Sequence, residues 1–232
     1  MKNALRQRME RTRLMILLLA ITGIACIVLM AYQTSSASFS SKIAKAAKDT
    51  SQFQDGDIIF QSSKSGQSLA IQIATESKYS HVGILFKQDG EWQVLEAVQP
   101  VKVTSFEKWI THGDDQHYVV KRLKNSDKLL TPKVLSEMRK LGKSFVGKDY
   151  DLYFGWSDDL MYCSELVWKL FDRCAGVSVG ELQKFKEFRF DHPEVKKILR
   201  QRYGDRLPME ETVISPGAIF NNPGLIEVQR SK

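Results

Sequence analysis

The chain has 232 residues, 43% of them hydrophobic, with 14 glycines and 6 prolines. That suffices for one packed core and a short appendage, but not for two cores, and it is too apolar for a disordered chain. The formal charge of +7 suggests nucleic acid, yet residues 1–13 carry +4 of it and the other 219 residues only +3, too little for a phosphate-binding face, so no nucleic acid is expected as a partner.

Residues 1–13 form a basic tail holding Lys2, Arg6, Arg8, Arg11 and Arg13 against Glu10. Residues 14–32, LMILLLAITGIACIVLMAY, contain no charge, and a helix of that length reaches roughly across the hydrocarbon of a bilayer. They are expected to be a transmembrane anchor, or a signal segment if the chain is cut near Ser35 and Ala37. By the positive-inside rule the basic tail stays in the cytoplasm, which would place the remainder in the periplasm or, after cleavage, outside the cell. Cys26 lies within the apolar run and reads as a packing residue rather than a lipidation site. Residues 33–52 read as a tether, and 53–232 as the folded domain.

The first strand is expected in GDIIFQ (residues 56–61) and the second in HVGILF (81–86). The turn signal Gln88-Asp89-Gly90-Glu91 then leads into a returning strand, WQVLEAV (92–98). With a two- or four-residue loop, opposed positions sum to 179, so Glu96 faces Gly83 and Val98 faces His81. His81 and Glu96 are then diagonal neighbours on one face, and Gly83 leaves room for the carboxylate to lean toward the imidazole. Such a carboxylate fixes the histidine tautomer and frees the other ring nitrogen to take a proton. The alternative, a half-buried His81 and an unrelated exposed Glu96, suits each residue alone better than both together.

Further on, Cys163 opens SELVWKLFDRCAG, in which Leu166, Val167, Leu170, Phe171 and Cys174 share one helical face and Gly176 supplies a stop. Cys163 falls on the same face at the first turn, where unpaired backbone N–H groups and the helix dipole favour thiolate over thiol. A structural or disulfide role is the competing reading. In one continuous helix, however, Cys163 and Cys174 lie about 16 Å apart, beyond bridging distance. Cys174 reads as packing.

The segments GDIIFQ (56–61), YSHVGILF (79–86), VLEAV (94–98), GKDYD (147–151) and YCSELVWKLF (162–171) strongly resemble the circularly permuted NlpC-like cysteine hydrolases of the YiiX/YebB-like group. In that group histidine and glutamate precede the cysteine, as they do here. The resemblance implies an α+β, permuted papain-like fold, with an antiparallel sheet or small barrel packed on helices. It implies a catalytic triad of Cys163, His81 and Glu96, with Tyr150 beside the nucleophile to polarise the scissile carbonyl. Ser164 and Tyr162, flanking the cysteine, are candidates for the substrate or oxyanion side, and the helix-start amide of Cys163 is a second oxyanion donor. The implied activity is an amidase or peptidase without metal or cofactor, acting on a cell-envelope amide such as a murein stem peptide or an N-acyl amino acid. Murein peptidases of the wider superfamily commonly have aspartate where Tyr162 stands, which weighs against murein. A lipid acyl hydrolase or acyltransferase of the same fold and a catalytically silent envelope-binding module are the alternatives.

Other polar clusters are assigned to surface chemistry. His112, Asp114, Asp115 and His117 in THGDDQH read as a polar loop rather than a metal site. His192 reads as exposed, Ser215-Pro216 as the start of a short helix, and the lysines and arginines of residues 184–206 as a solvated helical face. Asp158 and Asp159 either line the cleft or cap the approach to the cysteine helix.

Overall fold

The structure is a computed structural model that describes residues 50–231. The expected anchor, tail and most of the tether lie outside the described residues. Among those described, no helix is long and apolar enough to cross a membrane.

Six antiparallel strands form one sheet in the order β4-β3-β2-β1-β5-β8. They are β1 Ile58–Gln61, β2 His81–Gln88, β3 Glu91–Glu96, β4 Lys102–Ser105, β5 Val119–Leu123 and β8 Leu225–Arg230. β1 lies between β2 and β5, is buried at every position and reads as continuous IIF, as a strand covered on both faces must. The β2–β3 hairpin turns through Asp89 and Gly90 alone, both at positive φ (52° and 87°), the conformation for which an Asp-Gly pair is suited. Its register pairs Ile84 with Leu95 and Gln88 with Glu91, the summed value of 179 expected from the sequence. A Cβ on Gly83 would come within 2.5 Å of Val94 Cγ1 and 3.0 Å of the Leu95 carbonyl oxygen, so only glycine fits beside Glu96.

The helices α1 Gly66–Ala74, α2 Phe106–Ile110, α3 Ser126–Leu129, α4 Pro132–Phe145, α5 Cys163–Ala175, α6 Pro193–Tyr203 and α7 Pro216–Phe220 connect and cover the sheet. α5 is the central one. Its apolar face, Leu166, Val167, Leu170 and Phe171, is fully buried and packs against β2 and α4. It ends on Gly176 in the left-handed conformation (φ 64°), which a glycine adopts without the Cβ penalty. Burying four such side chains contributes roughly 6–12 kcal/mol against the extended chain, enough to fix the helix start relative to β2. α7 begins as expected, with Ser215 capping and Pro216 in the first turn. A short β6–β7 pair (Gln183–Lys184 with Thr212–Val213) stands apart from the main sheet.

α5 also carries an ionic cluster, buried at Glu165 and Lys169 and exposed at Asp158 and Arg173. Lys169, 1% exposed, donates to Glu165 Oε1 (2.6 Å), Asp158 Oδ1 (2.9 Å) and the Ser157 carbonyl (2.7 Å). Arg173 makes a two-pronged contact with Asp158 at 2.6 and 2.9 Å. These bonds tie the segment before the cysteine to the helix after it and assign Asp158 to this structural clasp.

Candidate active site

His81 opens β2 and Glu96 ends β3, and the hairpin register brings them together. Nε2 of His81 and Oε2 of Glu96 are 2.7 Å apart. The other carboxylate oxygen, Oε1, accepts from the Thr104 hydroxyl at 2.6 Å. Glu96 is 1% exposed, so both its oxygens are fixed in a low-dielectric setting. The face of the imidazole lies against the fully buried Trp109, centroids 5.9 Å apart and planes inclined by 24°.

With Nε2 committed to Glu96, Nδ1 is the nitrogen left for the sulfur of Cys163, which is hydrogen-bonded to the imidazole. Cys163 is the first residue of α5 and 3% exposed. Its Sγ also accepts from the backbone N–H groups of Val82 and Ser164. Burial by itself raises a thiol pKa, but the bond to His81, the imidazolium charge and the two amides reverse that and hold Cys163 below its ordinary value of 9. On His81 burial works downward, and the bonds to Cys163 and Glu96 overcome it, lifting the imidazole from 6.5 to about 10. Glu96 is held below its ordinary carboxyl value; burial opposes this, and the His81 and Thr104 bonds outweigh it. Each shift therefore favours the charged form of its group, thiolate on Cys163 and imidazolium on His81.

Tyr150 reaches the same sulfur with its hydroxyl. Burial first, and then the charge on Cys163, push its phenol well above 10, so it remains a proton-bearing donor. Its loop is held from the far side of the cleft. Gln99 Oε1 accepts from the Tyr150 amide at 2.7 Å while Gln99 Nε2 donates to Asp149 at 2.6 Å. The residues flanking the cysteine are placed differently. The Ser164 hydroxyl donates to the Ile214 carbonyl at 2.8 Å, and the Tyr162 hydroxyl accepts from the Ile214 amide at 3.1 Å. Both side chains are therefore engaged in docking α5 onto the strand before α7, and Ser164 meets the sulfur through its backbone.

Two concavities adjoin these residues, the first lined by Cys163 and the second by His81. The first is an apolar pocket of about 720 Å³, open mouth included, walled by Ile71, Phe154, Phe185, Phe188, Ile198 and Leu199. The second is a polar cleft bordered by Gln61, Ser65, His81, Glu96, Lys102 and His112. Tyr150 borders both.

Thr104, Trp109, Gln99 and the amide of Val82 were not singled out by sequence. Thr104 is diagonal to Glu96 across the β3–β4 register (Glu96 opposite Lys102), the same relation that joins His81 to Glu96, but no turn signal in the sequence sets that register. The expected polar loop is seen at THGDDQH, where Asp114 and Asp115 pair with Lys64 at 2.9 and 3.4 Å and His117 meets Ser231 at 3.1 Å. His192 is exposed and caps α6. Cys174 packs at the edge of the core.

Comparison with known proteins identifies the family. The family model described as "Permuted papain-like amidase enzyme, YaeF/YiiX, C92 family" matches residues 52–229. YiiX of Escherichia coli (strain K12), described as an uncharacterized protein, is 46% identical over 177 residues, 76% of this chain and 86% of its own. A crystal structure titled metalloprotein yiiX, from Escherichia coli O157:H7, is similar with a TM-score of 0.74 at 47% identity, covering 78% of this chain and 98% of that one. The chain therefore belongs to the family of permuted papain-like amidases, YaeF/YiiX.

Proposed function

We propose that the protein is a cysteine amidase in which Cys163 is the nucleophile, His81 the acid–base group and Glu96 the residue that orients the imidazole. The observation that carries this reading is the convergence on one sulfur of a carboxylate-braced imidazole, a protonated phenol and two backbone amides. The thiolate adds to the carbonyl carbon. The oxyanion is held by the Tyr150 hydroxyl and the α5 first-turn amide of Cys163, which has no acceptor within the helix. His81 then gives its proton to the amide nitrogen, the C–N bond breaks and the amine leaves, with the acyl group retained as a thioester on Sγ. Water, deprotonated by His81, attacks the thioester, the C–S bond breaks and the acid is released.

The amine must leave beside the imidazole that protonates it, so the amine half occupies the polar cleft and the acyl half the apolar pocket. That division favours an amide with a hydrocarbon acyl group, an N-acyl amino acid more than a murein stem peptide. A lipid acyl hydrolase or acyltransferase is the second reading, supported by the same apolar pocket. The relative titled a metalloprotein raises the question of a metal here. Among the described residues no three His, Cys, Asp or Glu side chains are grouped to share an ion, so this donor set does not fit one and no step runs through it. Residues 14–32 would tether the enzyme to the inner membrane with its catalytic domain in the periplasm; protease accessibility in intact and lysed spheroplasts tests that placement.

Assay of the purified protein against N-acyl amino acids, murein digests and phospholipid vesicles, with mass-spectrometric readout, tests the function. Hydrolysis of an N-acyl amino acid that is abolished by Cys163→Ala is the expected result. Acyl release only from phospholipids would support the second reading.

A further inference from the structure

We propose that the polar cleft is a carboxylate-binding subsite in which Lys102 holds an anionic group on the amine half of the substrate. This inference rests on the amidase reading, which places the departing amine on the His81 side.

Besides Lys102 and His81, the titratable side chains bordering the cleft include Glu96, Asp149 and His112. Glu96 is engaged by His81 and Thr104. Asp149 accepts from Gln99. Lys102 stands directly opposite Glu96 in the β3–β4 register, on the same face of the sheet as the triad carboxylate, and borders the cleft. It is half-buried, and among the described residues it makes no ion pair or hydrogen bond; its effect on Glu96 is a longer-range attraction. A half-buried ammonium at a cleft wall with no protein anion in contact is suited to an anion supplied from outside. The first turn of α1 borders the same cleft through Ser65, Gln67 and Ser68 and contributes a field of the same sign. A single compact cation offers one point-charge contact, which one carboxylate satisfies, and a phosphate analogue tests the alternative anion. An amide whose amine half is an α-amino acid presents such a carboxylate two bonds from the scissile nitrogen.

The test uses purified full-length protein and four ligands with one acyl chain: N-decanoylglycine, N-decanoylglycinamide, N-decanoyl-O-phosphoethanolamine and N-decanoylethylenediamine. The carboxylate substrate should be preferred over the neutral one by about tenfold in KM with similar kcat, the size of one well-placed charged contact. Lys102→Met should erase that preference, Lys102→Arg should keep it, and Lys102→Glu should turn it toward N-decanoylethylenediamine. A lysine that merely supported Glu96 would, when lost, slow all substrates equally in kcat, and that result would overturn the inference. So would equal KM for glycine and glycinamide in the wild type, or a preference for the phosphate ligand. Calorimetry on Cys163→Ala with the same ligands separates the two claims. Tighter carboxylate binding without turnover in the active protein would retain the subsite and reject the amidase; turnover with equal binding would do the reverse.

Discussion

At the scale of single residues, the site depends on which groups the imidazole touches. His81 bonds a buried carboxylate through Nε2 and the thiol through its other nitrogen, so replacing Glu96 by Gln keeps the shape but removes the charge that sustains the imidazolium. Glu96→Gln should lower kcat by about 10²-fold or more, and the alkylation of Cys163 by iodoacetamide should shift to higher pH. Thr104→Val should move the same profile in the same direction by less, since it removes one of two bonds to the carboxylate. The pH dependence follows from the same pair. The attacking form needs Cys163 deprotonated and His81 protonated. kcat/KM should therefore rise through a thiol pKa below 9 and fall as pH approaches about 10, where the imidazolium loses its proton. A profile rising through an ordinary thiol value, with no alkaline fall, would contradict the assignment. The meeting of His81, Glu96 and Cys163 was legible in sequence because the Asp-Gly turn sets the parity of the hairpin and the helical spacing of Leu166, Val167 and Leu170 sets the face of Cys163. Ser164 and Tyr162 were named for their adjacency to the nucleophile; both border the apolar pocket, while their hydroxyls are engaged with Ile214.

At the scale of elements, α5 positions the sulfur, and the ionic clasp of Glu165, Lys169 and Asp158 holds the chain before it. Removing one partner of a buried pair leaves the other uncompensated. Lys169→Met should cost about 3–5 kcal/mol of stability by urea unfolding, and the double variant Lys169→Met, Glu165→Leu should recover much of that loss. Equal stability of the single variant and the wild type would show that the clasp adds nothing. The clasp was not anticipated, since Asp158 lies ten or more residues from its partners on α5, and nothing in its local sequence says whether it faces the cleft or the helix. Thr104 was missed for a related reason: residues 97–101 between β3 and β4 form an irregular connection containing the cis peptide Gln99–Pro100, which no turn rule registers.

At the scale of the whole molecule, the pocket beside Cys163 is built from elements far apart in sequence. α1, the Phe185–Phe190 segment and α6 enclose the apolar pocket around a sulfur supplied by α5. α6 exposes Lys196, Lys197 and Arg200, while Val195, Ile198 and Leu199 turn inward to the pocket; the expected helical face over 184–206 holds only there, since Lys184, Lys186 and Arg189 precede the helix and Arg202 borders the pocket. The sequence displayed the charges plainly and concealed the pocket, because three apolar residues among cations identify a packed face without saying what they pack against. Ile198→Trp should fill part of the pocket, raising KM for decanoyl amides by about tenfold while leaving acetyl amides nearly unaffected; equal effects on both would remove the pocket from the substrate path.

The central claim is that Cys163 rests as a thiolate paired with His81. Ultraviolet absorbance of thiolate, recorded against pH as the difference between wild type and Cys163→Ala, measures it directly. The account predicts a thiolate already formed at neutral pH, with a midpoint that His81→Asn moves upward; a midpoint at or above 9 in the wild type, unmoved by that substitution, would contradict it.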